Sequence, residues 1–66
     1  MAIGKVTLPV ARKIAKISQK SLASAIGVSE STVINWEKGR SEPTVSQAIA
    51  IGEVVGIPYD QIIFLV

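Results

Sequence analysis

Polar side chains that can hydrogen-bond in defined directions recur along one side of a short segment at 30–38. At about 100° per residue, one side of a helix over this segment collects small polar residues and a lysine, namely Ser31, Asn35 and Lys38. The opposite side collects Val33, Trp36 and Glu37. We expect the second side to hold the helix in place and the first to be offered outward. Such a polar stripe suits hydrogen bonding to base edges in the major groove of DNA.

Four residues of this segment have the chemistry to distinguish bases: Glu30, Ser31, Thr32 and Asn35. Asn can pair with adenine through two hydrogen bonds, and Ser or Thr can donate to or accept from several bases. Glu30 has two interpretations, because its carboxylate can accept from the cytosine amino group or can simply stabilise the helix start through the dipole. Ile34, at the edge of the set, can meet a thymine methyl group, a sugar or a partner chain.

Two short helices joined by a tight bend must position these residues. Apolar residues recur at helical spacing in the first helix, predicted over 19–26, and Gly27 can supply the positive φ that ends it. Ser29 is a favourable N-cap for the second helix, predicted over 30–38. Because Trp36 lies on the inner face of that helix, we interpret it as a core residue and not as a base-stacking platform.

Together these residues resemble the helix-turn-helix of Cro/cI-type phage and bacterial repressors, the xenobiotic-response-element family. The matching positions are Ser18-Gln19, Leu22-Ala23, Gly27-Val28-Ser29, Thr32-Val33, Trp36-Glu37, Gly39 and Pro43. The resemblance covers roughly residues 8–60 with many positions in register. It implies an all-α, compact five-helix bundle of the lambda-repressor-like DNA-binding type, with the helix-turn-helix at about 19–38. It also implies a transcriptional regulator, in particular a repressor that binds double-stranded DNA at a palindromic operator as a homodimer.

Five residues are candidates for contacts with DNA phosphates: Ser18, Gln19, Lys20, Lys38 and Arg40. Ser18 caps the helix that starts at Gln19, and amides of a first helical turn can bind a phosphate oxygen. The resemblance implies that Gln19 touches the DNA backbone and braces a side chain of the recognition helix. The alternatives are an exposed polar residue at a helix start for Gln19 and a solvated surface pair for Lys38 and Arg40.

Arg12 and Glu37 are expected to form an ion pair with a structural role. In the resembling family an arginine at this place, seven residues before the glutamine, pairs with the glutamate that follows the tryptophan. Glu37 lies on the inner side of its helix, where an unpaired carboxylate would be costly. The alternative is two unrelated surface charges. We expect this pair, together with Val33 and Trp36, to hold the recognition helix.

The charges are unevenly distributed along the chain. All seven basic residues lie within residues 1–40, which also contain two acids and have a net charge of +5, whereas residues 41–66 contain three acids and no base, a net charge of −3. One half can therefore face a polyanion while the other points away, although chance asymmetry on a solvated surface is the alternative.

Apolar residues make up 48% of the chain, which is more than the interior of so small a domain can hold. Some apolar surface is therefore expected to meet a partner.

The sequence contains no cysteine and no histidine, which removes disulfides, thiolate metal sites and the usual acid–base and zinc chemistry. Its seven serines have no histidine to activate them, and its five acids show no clustered pair. We therefore expect no enzyme activity, no cofactor, no metal and no small-molecule ligand. No segment approaches the ~20 apolar residues of a membrane span, so a cytoplasmic protein without membrane contact is expected.

We predict a single domain over 1–66 with helices over about 8–16, 19–26, 30–38, 45–55 and 58–63. The resembling family often has glycine where this chain has Lys16, at the end of the first helix. Gly52 lies inside the fourth helix, where glycine costs about 1 kcal/mol relative to alanine. This position therefore suggests that another part of the backbone approaches closely.

Five apolar residues end the sequence: Ile62, Ile63, Phe64, Leu65 and Val66. They pack back on the core, form a strand or helix in a dimer interface, or mark where a longer protein was cut. The homodimer is expected to form through this segment. The alternative function is an antitoxin-like module that binds a protein partner as well as its own promoter, supported by the apolar end and by Ile34.

Overall fold

The computed structural model describes residues 5–64 and consists mainly of helices. In chain order the elements are β1 (Val6–Thr7), α1 (Leu8–Ile14), α2 (Gln19–Ile26), α3 (Glu30–Glu37), α4 (Val45–Val55), a 3-10 turn (Tyr59–Gln61) and β2 (Ile62–Ile63). Leu65 and Val66 of the C-terminal prediction lie outside the described residues.

The described residues form four α-helices, so the prediction of a fifth helix over 58–63 is wrong. That segment holds one turn of 3-10 helix, preceded by an extended Pro58 (φ −53°, ψ 139°) and followed by an extended Ile62 (φ −107°, ψ 129°). The β-branched isoleucines that follow the turn favour extended backbone. Two helices are also shorter than predicted, since α1 ends at Ile14 and α3 at Glu37.

A short parallel strand pair joins the two ends of the described chain. Val6 of β1 lies opposite Ile62 of β2, and Thr7 lies opposite Ile63. Ile62 is 5% exposed and belongs to the core, whereas Ile63 is 39% exposed, as the two-residue period of a strand requires. The all-α prediction is therefore corrected to a helical fold with one two-residue ladder.

The hydrophobic core draws side chains from all four helices and from β2. Its buried members are Leu8, Ala11, Leu22, Ala23, Val33, Trp36, Ile51, Val55 and Ile62. Phe64 is partly buried and packs against the same cluster. The start of the apolar C-terminal segment therefore packs on the core of its own chain, the first of the three outcomes that the sequence allows.

Hydroxyl side chains cap the starts of three helices. The Oγ of Ser18 accepts from the amide of Ser21 at 3.0 Å at the start of α2, and the Oγ of Ser29 accepts from the amide of Thr32 at 3.2 Å at the start of α3. Thr44 forms a reciprocal capping box with Gln47 at the start of α4. These bonds use amides that no helical carbonyl can reach, so they define where the helices begin.

Lys16, two residues after the end of α1, lies in the left-handed region with a φ of 61°. The Lys16 amide donates to the Lys13 carbonyl at 3.0 Å, and the Ile17 amide donates to the Arg12 carbonyl at 3.2 Å. This is the hydrogen-bond pattern of a Schellman motif, which favours glycine at the position that Lys16 occupies. Gly27 ends α2 with a similar φ of 77° but without the steric cost that a Cβ brings.

Gly52 allows the chain after α4 to pass close to the helix. A Cβ at this position would lie 2.8 Å from the Ile57 carbonyl oxygen and 3.0 Å from the Tyr59 amide nitrogen. These are backbone atoms, which cannot swing aside as the end of a side chain can. The close approach expected at Gly52 is therefore present.

Candidate nucleic-acid interface

The recognition candidate α3 is held by two core side chains and presents its other side outward. Val33 is 0% exposed and Trp36 is 3% exposed. Among the four candidate base-reading residues, Glu30 and Ser31 are exposed, and Thr32 and Asn35 are half-buried. The helix is therefore fixed by one face while its polar face stays accessible to a large ligand.

Side-chain hydrogen bonding distinguishes the candidate base-reading residues. The Thr32 hydroxyl lies 2.9 Å from the Oγ of Ser29, so it is engaged at the helix start. Within residues 5–64, no side-chain hydrogen bond involves Ser31 or Asn35. These two side chains therefore keep their full donor and acceptor capacity for a ligand.

A hydrogen-bond network around Glu37 fixes α3 to the two preceding helices. Arg12 Nε donates to Glu37 Oε2 at 2.8 Å, and Gln19 Nε2 donates to Glu37 Oε1 at 2.9 Å. Arg12 Nη1 also donates to the Ile17 carbonyl oxygen at 3.0 Å. The side chains of Arg12 and Glu37 are 14% and 8% exposed. Both carboxylate oxygens of Glu37 are thus satisfied, each from a different helix.

Gln19 therefore holds the side chain of Glu37 in place. The family resemblance implies this role for Gln19 in addition to a contact with the DNA backbone. One amide hydrogen of Gln19 points to Glu37, which leaves the second hydrogen and the amide oxygen for another partner. A DNA contact by Gln19 would then link the DNA backbone to α3 through Glu37.

The geometry of α2 and α3 agrees with a family match over most of the chain. Residues 10–62 match a family model described as helix-turn-helix. The chain belongs to this helix-turn-helix family, of the Cro/cI type. The helix-turn-helix consists of α2, the bend at 27–29, and α3.

Two curated regulators show the same relationship. The HTH-type transcriptional regulator DicA of Escherichia coli (strain K12) is 43% identical over 44 residues, which cover 67% of this chain and 33% of that protein. The uncharacterized HTH-type transcriptional regulator MJ0272 of Methanocaldococcus jannaschii is 33% identical over 51 residues, 77% of each chain. The matched segment spans about one third of the length of the E. coli relative. The chain is therefore similar over most of its length to two proteins described as helix-turn-helix transcriptional regulators.

The candidate phosphate contacts of this helix-turn-helix chain lie around α2 and after α3. Lys20, Lys38 and Arg40 are exposed, and within residues 5–64 the one ion pair joins Arg12 to Glu37. The three cations are therefore not neutralised by an acidic neighbour in the described part of the chain. Ser18 is exposed as well, although its hydroxyl also donates to the Ser21 hydroxyl at 3.0 Å.

Ile34 lies beside the polar stripe of α3, at the edge of the candidate base-reading residues. It is half-buried, yet it is absent from the partly buried side chains that pack against the core of residues 5–64. In the sequence, Ile34 is recognisable as an apolar residue on the polar face of the predicted helix.

Within residues 5–64 there is no cluster of three acidic side chains that could hold a metal ion, and no helix is long and apolar enough to cross a bilayer.

Proposed function

We propose that the chain represses transcription by binding a palindromic operator as a homodimer, with one α3 in the major groove of each half-site. The observation that supports this most is the contrast between the two faces of α3. Val33, Trp36 and Glu37 are held by the fold, while Ser31 and Asn35 are free of side-chain partners in the described residues. A rigid helix with uncommitted polar side chains is suited to reading bases.

Asn35 has the principal base-reading role in this proposal. Its amide can donate to and accept from adenine at the same time, which gives stronger discrimination than one hydroxyl can. Ser31 lies one turn earlier on the same face and adds a single hydrogen bond. Glu30 accepts a hydrogen bond from a cytosine amino group at the end of the half-site. Thr32 adds a base contact while its hydroxyl remains hydrogen-bonded to the Ser29 hydroxyl.

The phosphate contacts fix the position of α3 in the groove. Lys38 and Arg40 bind the DNA backbone next to the end of the recognition helix, and Ser18, Gln19 and Lys20 bind it next to the start of α2. The net charge of +5 on residues 1–40 supports this placement, because a positive surface draws DNA to the side that carries α2 and α3.

A homodimer is supported by apolar side chains that stay exposed in the second half of the chain. Val54, Tyr59 and Ile63 are 37%, 45% and 39% exposed. Ile62, by contrast, is buried in the core of its own chain, so among the described residues the dimer contact proposed for the C-terminal segment falls to Ile63. Two-fold symmetry would place the two α3 helices about 34 Å apart on DNA.

The apolar C-terminal segment does not favour an antitoxin-like function over repression. Ile62 is buried in the core of its own chain and Phe64 packs against that core partly buried, so much of their apolar surface is used within the chain. We propose that the chain acts as one DNA-binding unit and that repression follows from occupying a promoter.

Selection of bound duplexes from a random DNA pool at near-physiological salt tests the proposal. We expect an enriched palindrome with half-site centres about 10 base pairs apart, and two chains per duplex by analytical ultracentrifugation. A folded protein that binds DNA but enriches no sequence would contradict the base-reading role of α3. An enriched single half-site bound by one chain would contradict the homodimer.

A further inference from the structure

Ile34 is an apolar side chain surrounded by polar positions on the accessible side of α3. Helical spacing puts Glu30 and Ser31 one turn before it and Lys38 one turn after it. Ile34 is half-buried, while these three neighbours are exposed. Ile34 is not among the side chains that pack on the core of residues 5–64, so core packing does not account for isoleucine at this position.

We propose that Ile34 contacts the 5-methyl group of a thymine and thereby specifies that thymine in each half-site. This inference rests on the proposed function, in which α3 lies in the major groove. The thymine methyl group is the apolar feature that a base presents there, and apolar side chains recognise it by excluding water. Ile34 lies between Ser31, which faces the bases, and Lys38, which binds a phosphate.

Two other partners for Ile34 fit the structure less well. A deoxyribose contact would add affinity without distinguishing thymine from other bases, yet Ile34 lies beside the base-reading Ser31 and not at the end of the helix. A second protein chain would find exposed apolar side chains on other elements, such as Ile49 of α4 and Ile63 of β2, which are 41% and 39% exposed. The thymine methyl group is therefore the partner that the position of Ile34 favours.

A double-mutant cycle with deoxyuridine tests the proposal. Uracil pairs with adenine as thymine does and differs from thymine only in lacking the 5-methyl group. Wild-type protein and Ile34→Ala are titrated against the selected operator and against versions in which each thymine in turn is replaced by deoxyuridine. For wild type, we expect one thymine per half-site whose replacement weakens binding about fourfold per site, the effect of one buried methyl group. For Ile34→Ala, the same replacement should change binding less than 1.5-fold.

The matched control is Ile14→Ala, which removes an isoleucine that is 61% exposed on α1, outside α3. This variant should show the wild-type response to deoxyuridine. Thermal melts of both variants establish that they are folded. The operator itself must first be recovered with wild type, so a failure to recover it would reject the proposed function and would be distinguishable from a failure of the Ile34 assignment.

Three results would overturn the assignment. If no thymine is sensitive to loss of its methyl group in wild type, Ile34 has no methyl partner. If Ile34→Ala weakens selected and shuffled duplexes equally and keeps the wild-type response to deoxyuridine, Ile34 contacts the sugar. If Ile34→Ala makes the free protein monomeric at a concentration where wild type is dimeric, Ile34 belongs to the dimer interface.

Discussion

Arg12 donates from its Nε to the Oε2 of Glu37 at 2.8 Å and so joins α1 to the recognition helix α3. Both side chains are largely buried, and Gln19 of α2 donates to the other oxygen of Glu37. The carboxylate of one residue therefore fixes α3 to the two helices that precede it. The orientation of the polar face of α3 depends on this link as well as on apolar packing.

Glu37→Ala should strongly destabilise the fold. The substitution leaves the buried guanidinium of Arg12 without its counter-ion, and breaking one side of a buried pair costs about 3 kcal/mol. A domain of this size rarely has more than about 3 to 5 kcal/mol of stability, so the variant should be partly unfolded at 25 °C. Urea denaturation followed by the fluorescence of the buried Trp36 measures the loss.

Three companion variants separate the ion pair from other effects of that substitution: Glu37→Gln, Arg12→Ala and the double substitution. Glu37→Gln keeps the size of the side chain but removes its charge, and it should lose less stability than Glu37→Ala. Adding Arg12→Ala to Glu37→Ala should cost less than the sum of the single losses, because the two side chains interact directly. Additive losses would mean that the pair contributes nothing specific.

Lys16→Gly should stabilise the protein. Lys16 has a φ of 61°, a conformation that costs a residue with a Cβ about 1 to 2 kcal/mol more than it costs glycine. The greater freedom of glycine in the unfolded chain offsets part of this gain, so we expect a net increase of about 0.5 to 1 kcal/mol. Thermal unfolding measures it as a rise of a few degrees in the melting temperature.

Lys13→Gly is the matched control for Lys16→Gly, since it removes the same type of side chain from the last turn of α1, one residue before Ile14. Lys13 has helical backbone, so glycine there should lower stability by about 0.5 to 1 kcal/mol. Shifts of the same sign for both variants would show that charge, and not backbone conformation, determines the effect at Lys16.

Gly52→Ala should destabilise the fold although alanine favours helix. The new Cβ would lie 2.8 Å from the Ile57 carbonyl oxygen, and the displaced backbone leads into the 3-10 turn and β2. We expect a net loss of about 1 to 2 kcal/mol, since overpacking outweighs the gain in helix propensity. Glu53→Ala, at the exposed neighbouring position, should be close to neutral in the same urea titration. A stabilised Gly52→Ala variant would contradict the close approach.

The sequence predicts the helices well because the signals for them are local. Ser18 and Ser29 mark two helix starts, and the structure has a side-chain cap at each of them. The parallel pairing of Val6 with Ile62 has no such signal, because two-residue strands show no periodicity and their partners lie at opposite ends of the chain. The sequence pattern therefore predicts a helix over 58–63, where the structure has a 3-10 turn followed by β2.

The part of the candidate site that lies on α3 could be predicted from the sequence, because helical spacing determines which residues share a face. Helical spacing alone separates Asn35 from Trp36 and places Glu37 on the inner face. The bond from Gln19 to Glu37 depends on the packing of α2 against α3, so the sequence pattern could suggest it only through the family resemblance. Likewise, the bond between Thr32 and Ser29 hydroxyls requires side-chain geometry that spacing does not provide.

Lys38→Ala should weaken binding to all DNA sequences by a similar factor. A lysine that contacts a phosphate releases a counter-ion on binding, so its loss should reduce the slope of log affinity against log salt by about one. Binding titrations at several salt concentrations between roughly 50 and 200 mM measure this slope on the selected and the shuffled duplexes. Lys5→Ala removes an exposed lysine outside the proposed contacts and should leave the slope near the wild-type value. An unchanged slope for Lys38→Ala would remove Lys38 from the phosphate contacts.

The most direct test of base reading by α3 compares Asn35→Ala with wild type on two duplexes, the selected operator and a shuffled sequence of the same length, at one salt concentration. Asn35→Ala should lose about 1 to 3 kcal/mol of binding free energy on the operator and almost nothing on the shuffled duplex. Ser24→Ala, an exposed serine of α2 outside the proposed contacts, should match wild type on both. Equal losses for Asn35→Ala on the two duplexes would contradict sequence recognition by this face of α3.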